Sequence, residues 1–360
     1  MHARVCLAGV PVMIFHSVRR HALAELGALT LAEPDFEQQM RSLARAGYAA
    51  ITCRELHDHL VRDAPLPRRP ILLTFDDGYL DNFTVAGPVL ARHGLRATVF
   101  VATDGLHTGR DVRRATSDDE HASEHGMLSP AELCAMEASG VFEIQAHSAS
   151  HARLPVSGAI ESFDVPSGAP RLRTGWMGEV RAFVPEPELE AAARAFVREH
   201  GAARFFERAS WRAELERVCA PFLEDGGARG RHETDDERRT RLRDDLARGK
   251  RRLEDILGHA VDFLAWPGGG SSALALDVAL QDVGFRATFG TNRVCAGVEP
   301  SPRAIPRAYF NQSYRGGLAR FARVAKFRGV ADYESRRPLG YLRVFAANRL
   351  MQLFAKGDDR

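Results

Sequence analysis

Residues 71–79, ILLTFDDGY, join a run of apolar and β-branched side chains directly to two aspartates and a glycine. The run predicts a buried strand, and the Asp-Gly pair predicts the turn that ends it. Similar apolar runs recur along the chain, separated by helical patterns. The predicted strands cover residues 10–15, 49–52, 71–75, 97–102, 141–146, 263–266 and 287–289. This alternation predicts an α/β fold built on parallel strands.

The alternation stops after residue 151 and resumes near residue 236. We interpret residues 152–235 as a helical insertion that opens with a loop-like stretch over 155–170. Because the insertion begins close to a predicted strand end, we expect a lid or a substrate-selecting wall. The predicted organisation is an α/β domain over residues 1–151 and 236–310, the insertion over 152–235, and a C-terminal extension over 311–360.

The composition is that of an ordinary globular protein, with 45% hydrophobic residues, 27% charged residues and a formal net charge of +2. These values exclude a disordered chain, and five scattered cysteines without a CxxC spacing exclude a disulfide framework. The first residues lack the apolar segment of a signal peptide, and no run of apolar residues is long enough to predict a transmembrane helix. We therefore expect a cytoplasmic protein with mostly buried, reduced thiols. A chain that had lost a signal peptide would give the same pattern.

Two motifs follow predicted strands and carry chemistry. Asp76 and Asp77 stand at the end of one strand, where adjacent carboxylates favour one ionised on a cation and the other titrating as a base. An ordinary Asp-Gly turn is the alternative. His147 and His151, in HSASH after another strand, have a spacing that lets both face one ion, although an isolated HxxxH is a weak signal.

Taken together, the two motifs are more specific than either alone. Asp77, His147 and His151 form a set of three ligands with one position open for water, which is typical of a catalytic zinc site. Asp76 then remains as the general base.

At these residues the chain resembles the polysaccharide deacetylases that carry a NodB homology domain, carbohydrate esterase family four. The resemblance extends from Pro11 to about Arg307 without the insertion. The segments that carry it are PVMIFHSV at 11–18, similar to a PVLMYHxV start, TFDDG at 74–78, HSASH at 147–151, and FLAWPGG at 263–269. It implies a distorted (β/α) barrel of the NodB type. It also implies a metal-dependent hydrolase that removes N-acetyl groups from an acetamido sugar of a surface glycan, an exopolysaccharide or a lipid-linked precursor.

By this resemblance, Asp77, His147 and His151 hold the metal and Asp76 activates water. Zn²⁺ is the expected ion, with Co²⁺ or Ni²⁺ as alternatives because such a site accepts several. No organic cofactor is expected.

A general acid must also protonate the departing amine. Family members outside this branch supply a histidine from a late motif, but no histidine follows His259 here. The resemblance therefore assigns the acid to His16, at the end of the first predicted strand. A structural hydrogen bond from His16 to a carboxylate is the alternative.

Three further residues are assigned to substrate binding, namely Tyr79, Trp266 and Arg307. The arginine of the family's usual RxPY motif, which orients the base, is absent here, and Ala265-Trp266-Pro267 stand in its place. Trp266 either stacks on a sugar ring or belongs to the core. Arg307 either orients Asp76 by a bidentate contact or is a surface arginine. Because two expected catalytic positions are altered, a catalytically silent glycan-binding or assembly subunit of the same fold is the alternative function.

The last sixty residues hold eleven arginines and two lysines against four acidic residues, a balance of +9. Two segments look amphipathic, 318–327 and 341–355, the second with Val344, Ala347, Leu350, Met351 and Phe354 along one side and Arg343, Arg349 and Lys356 beside it. Such helices either lie in a membrane interface or pack on the barrel. We expect peripheral contact through 338–360 with the inner membrane face, a glycan or lipid-linked sugar substrate, and no nucleic-acid partner. The oligomeric state is left open.

Overall fold

The computed structural model describes residues 9–19, 29–113, 126–291, 301–309, 317–337 and 339–355. They divide into two compact units, Met1–His151 with Arg243–Arg360, and Ala152–Leu242. Of the cysteines, Cys53 and Cys219 are buried and Cys134 is exposed, whereas Cys6 and Cys295 lie outside the described residues.

The strands of the described residues are β1 Val12–Phe15, β2 Ser17–Arg19, β3 Thr30–Ala32, β4 Ala49–Ile51, β5 Pro70–Phe75, β6 Ala97–Val101, β7 Phe142–Ala146, β8 Arg153–Phe163, β9 Pro170–Trp176, β10 Phe183–Pro185, β11 Leu223–Glu224, β12 Gly227–Ala228, β13 Gly230–His232, β14 Phe263–Ala265, β15 Ala287–Thr291 and β16 Ala304–Tyr309. The helices are α1 Glu33–Arg45, α2 Cys53–Arg62, α3 Gly87–Arg92, α4 Pro130–Ala138, α5 Pro187–Glu199, α6 Trp211–Cys219, α7 Asp235–Leu257, α8 Ala273–Asp277, α9 Gly317–Glu334 and α10 Gly340–Ala355.

The first unit is built on a closed parallel barrel. Its strands follow the order β1-β16-β15-β14-β7-β6-β5, and pairing of β1 with β5 closes the ring. β4 pairs with the beginning of β5. The predicted (β/α) barrel of the NodB type is therefore confirmed.

Aromatic and aliphatic side chains fill the interior of this barrel. Phe100 of β6 and Phe289 of β15 are not on neighbouring strands, yet their ring centroids lie 5.3 Å apart. Phe263 of β14 packs on Phe289 at 6.2 Å. Since all strands are parallel, their carboxyl ends meet at one rim above this core, which is where α/β barrels place their sites.

The second unit contains strands as well as the predicted helices. β8 and β9 form an antiparallel hairpin, and β10 pairs with β13. α5 and α6 add Leu189 and Leu215 to a core of its own. The prediction of a loop-like stretch over 155–170 is correct for residues 164–169 but wrong for 155–163. There β8 runs through Pro155 and Gly158 with a register shift between Pro155 and Ile160. Proline and glycine at such an irregularity resemble turn residues in a sequence.

The helix α9 packs on the barrel. Phe327 is fully buried with its ring centroid 6.1 Å from that of Phe15. Arg323 lies 3.5 Å from Asp35 of α1, and both side chains are almost fully buried. For this segment the packing alternative describes the structure. The side chains of residues 318–321 lie outside the described set.

The helix α10 places the predicted apolar side partly against the protein. Ala347 is buried and Val344 is half-buried beside Gly329 of α9, whereas Leu350 is exposed. The side chains of Met351 and Phe354, and the whole of Lys356, lie outside the described residues. Tyr341, Leu342 and Phe345 are exposed, so this helix is apolar on both sides. No helix in the described part of the chain is long and apolar enough to cross a membrane.

Candidate metal and catalytic site

The site begins where β5 ends at the rim of the barrel. The backbone N–H of Asp76 donates to the carbonyl of Phe15, which extends the pairing of β5 with β1 by one residue. The chain then turns through Asp77 and Gly78, at φ +75° and +89°. A Cβ at Gly78 would lie 3.1 Å from Val101, so glycine relieves both the torsion and the packing. Because of this turn, the carboxylates of Asp76 and Asp77 lie close together but in different surroundings.

Three side chains meet as the sequence predicts for a metal site. Oδ1 of Asp77 lies 3.3 Å from Nε2 of His147 and 3.2 Å from Nε2 of His151. The potential ligand atoms all lie within 4.8 Å of one another. Ligands about 2.0–2.2 Å from one tetrahedral ion are separated by roughly 3.3 Å, so the donor set fits an ion such as Zn²⁺.

The electrostatics of this group also suit a cation. Burial acts to raise the pKa of Asp77, but hydrogen bonds with His147 and His151 lower it well below its usual value. Nδ1 of His147 lies 2.8 Å from the carbonyl of Ala265, which can only accept, so the ring donates there and, in its neutral form, has its lone pair on Nε2. The site thus offers one carboxylate and at least one correctly oriented imidazole.

Asp76 is held by a buried arginine from the last barrel strand. Nη1 and Nη2 of Arg307 donate to the two carboxylate oxygens at 2.6 and 2.8 Å. Arg307 is fully buried, and Nη1 also donates to Oγ1 of Thr74. Burial acts to raise the pKa of Asp76, but Arg307 and His147 outweigh it and keep this pKa below its ordinary value. The carboxylate is therefore ionised and able to accept a proton, and the surface-arginine alternative is wrong.

His16 directly follows β1 and is half-buried near the same charges. Burial lowers the pKa of His16, opposed by Asp76 and Asp77, so the imidazole is neutral at neutral pH. Its main chain is fixed by residues that the sequence analysis missed. Asn82 donates to the carbonyl of His16 at 2.7 Å, and Asp81 accepts from the hydroxyl of Ser17 at 2.5 Å. The Asp-Asn pair at three and four residues beyond Gly78 was the available signal.

The two aromatic residues assigned to substrate binding have other surroundings. Tyr79 hydrogen-bonds to Asp77, and its pKa is raised by burial and by this carboxylate. Tyr79 therefore contacts a metal-ligand candidate. Trp266 is 1% exposed at the end of β14, where the Pro267–Gly269 turn follows, so the core alternative describes it and the stacking prediction was wrong.

Residues 63–167 match the family model described as polysaccharide deacetylase. This range includes the DDG turn and both histidines of the HSASH segment. Residues 63–167 therefore belong to a polysaccharide deacetylase domain. The resemblance identified from the motifs is thereby confirmed.

A curated relative of the deacetylase domain is YxkH of Bacillus subtilis (strain 168), a protein named as a polysaccharide deacetylase. It is 30% identical over 120 residues, which are 33% of this chain and 40% of YxkH. The match therefore spans less than half of the relative's length.

Two solved structures share the fold across most of the chain. A de-N-acetylase from Aggregatibacter actinomycetemcomitans has a TM-score of 0.56 and 16% identity, over 88% of this chain and 99% of that one. The BpsB deacetylase domain from Bordetella bronchiseptica has a TM-score of 0.54 and 21% identity, over 83% and 95%. At these identities the likeness is one of fold.

Proposed function

We propose that this protein is a metal-dependent hydrolase that removes N-acetyl groups from an acetamido sugar of a surface glycan, an exopolysaccharide or a lipid-linked precursor. One observation carries the proposal. Within a polysaccharide deacetylase domain, an Asp-His-His ligand set lies beside a carboxylate that a buried arginine keeps ionised. This arrangement would hold an ion next to a base, a combination that suits amide hydrolysis.

Each residue has a defined part in the proposed reaction. A bound ion such as Zn²⁺ would polarise the amide carbonyl and lower the pKa of water. Asp76 accepts the proton of the attacking water, and Arg307 fixes the direction of its carboxylate. The amine leaves only when it is protonated, and His16 is the half-buried group available near the base. Because the resting imidazole is neutral, His16 must first take up a proton to act as the acid.

Acetate release from a panel of N-acetylated oligosaccharides tests the proposal. We expect release with added Zn²⁺, Co²⁺ or Ni²⁺ and none after treatment with a chelator. Asp77→Ala should lose both metal and turnover, whereas Asp76→Asn should keep the metal and lose turnover. Asp236→Asn, an exposed change of the same charge, is the control. Metal-loaded protein that binds the panel without releasing acetate would instead support the glycan-binding or assembly alternative.

The proposal includes a place for the enzyme, on the inner face of the cytoplasmic membrane. Tyr341, Leu342 and Phe345 of α10 form an exposed apolar surface, and the exposed Arg349 lies on the same helix. Exposed apolar patches with basic residues suit an anionic lipid interface. The charge of the tail contributes less than its +9 suggests, because several of its arginines pair within the protein, as Arg307 does with Asp76.

Co-sedimentation with vesicles tests the membrane contact. The protein should bind phosphatidylglycerol vesicles better than phosphatidylcholine vesicles, and Leu342→Glu combined with Phe345→Glu should release it. Val61→Glu, at an exposed residue of α2, is the control. Equal binding by the double variant and the wild type contradicts the contact. A change from dimer to monomer in the double variant, without vesicle binding by the wild type, would show that this surface joins two copies.

A further inference from the structure

The segment from His147 to His151 carries two of the three candidate ligands in a strained backbone. Ser148 and His151 have φ values of +64° and +51°. Residues with side chains rarely adopt this left-handed region, so the surrounding structure must hold them there. Within the segment, the N–H of His151 donates a hydrogen bond to Oγ of Ser148 at 3.0 Å.

A carboxylate on α7 binds the middle of this segment. The N–H groups of Ala149 and Ser150 donate to Oδ2 and Oδ1 of Asp245, both at 3.1 Å. The side chain of Asp245 is 11% exposed. Two successive N–H groups on the two oxygens of one carboxylate fix the direction of the peptide planes between the histidines. These hydrogen bonds come from the backbone between the two histidines, not from the histidines themselves.

The backbone of α7 also lies directly against the segment. A Cβ added at Gly249 would fall 2.8 Å from the carbonyl carbon and oxygen of Ser148 and 2.9 Å from the nitrogen of Ala149. Backbone atoms cannot give way as a flexible side chain can. A glycine at this position therefore permits the approach that brings Asp245 into hydrogen-bond range.

A third contact ties the same elements together at the surface. Arg248 donates to Oδ1 of Asp245 at 3.1 Å and also pairs with Asp104. The N–H of Asp104 donates to the carbonyl of Ala149 at 2.9 Å. Arg248 and Asp104 are about half exposed, so solvent weakens this pair, and Asp245 is the buried member of the group.

We propose that Asp245 is a positioning residue for the metal site, acting through the backbone of residues 147–151, and that Gly249 is required for it to do so. This inference rests on the metal site of the proposed function. It explains how a strained segment keeps two Nε2 atoms 3.3 and 3.2 Å from Oδ1 of Asp77. Partners that orient metal ligands typically change metal affinity ten- to hundredfold when they are replaced.

Metal titration of the full-length protein tests the proposal without any substrate. Zn²⁺ affinity is measured by competition with a chromophoric chelator, and Co²⁺ binding by its visible spectrum. Asp245→Ala should weaken Zn²⁺ binding about ten- to hundredfold. Asp245→Asn, which keeps one acceptor oxygen, should weaken it less. Asp244→Ala, at the exposed neighbour on the same helix, should bind as the wild type does.

Two further variants separate positioning from general destabilisation. Gly249→Ala should weaken Zn²⁺ binding and alter the Co²⁺ spectrum, whereas Arg248→Ala should change affinity less than about threefold because its pair is exposed. Wild-type affinity in Asp245→Ala overturns the proposal. If that variant does not fold, wild-type affinity and spectrum in both Asp245→Asn and Gly249→Ala overturn it instead. Wild-type protein that binds Zn²⁺ but releases no acetate would refute the proposed function and leave this inference standing.

Discussion

Replacing Arg307 with methionine would leave the carboxylate of Asp76 buried without its two guanidinium hydrogen bonds. The side chains of Arg307 and Asp76 are 0% and 3% exposed, so water cannot replace the lost donors. The hydrogen bonds, at 2.6 and 2.8 Å, involve charged groups and contribute roughly 1.5–3 kcal/mol each. Breaking a buried ion pair by removing one partner typically costs about 3–5 kcal/mol. Both routes predict that Arg307→Met lowers the free energy of unfolding by about 3–5 kcal/mol.

A double-mutant cycle by urea denaturation, with a chelator present throughout, isolates the contact. Asp76→Asn and Arg307→Met should each destabilise the protein, and the double variant should be more stable than the sum predicts by at least about 2 kcal/mol. Arg62→Met removes an arginine that is 64% exposed and lies 3.7 Å from Asp58, and it should cost less than about 0.5 kcal/mol. A loss below about 1 kcal/mol for Arg307→Met, or an additive double variant, would refute this reasoning.

Further expectations concern the metal, a buried carboxyl and the C-terminal helices. Zn²⁺ at one hundred times its dissociation constant should stabilise the wild type by roughly 2.7 kcal/mol in thermal unfolding, and Asp77→Ala should abolish this gain. Burial raises the pKa of Asp81 to about 7, so the folded state favours the protonated form and loses stability as the pH rises towards 7. Asp81→Asn removes that titration, and its stability relative to wild type should increase by roughly 1 kcal/mol per unit between pH 5 and 7; a constant difference contradicts it. Phe327→Ala should cost about 3–5 kcal/mol in urea denaturation because this ring is fully buried, whereas the exposed Phe345→Ala should cost little. Equal losses would argue against the packing of α9 on the barrel.

The sequence predicts the barrel and its rim well because both depend on local patterns. One apolar run ends just before Asp76 and another just before His147, and each marks the end of a strand. Because the strands are parallel, their carboxyl ends lie at the same rim of the barrel. Arg307 follows only from the family resemblance, since no strand is predicted from the sequence where β16, Ala304–Tyr309, lies. The sequence does not show that Arg307 is buried, because its burial depends on the pairing of β16 with β1 in the closed barrel.

Other features depend on contacts that no local pattern encodes. The hairpin of β8 and β9 carries Pro155 and Gly158 at an irregular register, and these residues are more typical of turns. Asp245 lies on a helix with many charged residues, and the sequence pattern does not show which of them accepts the hydrogen bond from the backbone N–H of Ala149. Trp266 ends a strand at the rim, yet whether it faces a substrate or the core depends on how the following turn packs.

The position of Arg307 in β16 has a consequence for how the chain is made. All three metal-ligand candidates lie before residue 152, whereas the partner of Asp76 is 231 residues further along than the aspartate itself. A nascent chain therefore contains all three ligand candidates long before it contains Arg307, the residue that orients Asp76. A polypeptide that ends between β15 and β16 would therefore contain the three ligand candidates and Asp245, but not the arginine that holds Asp76.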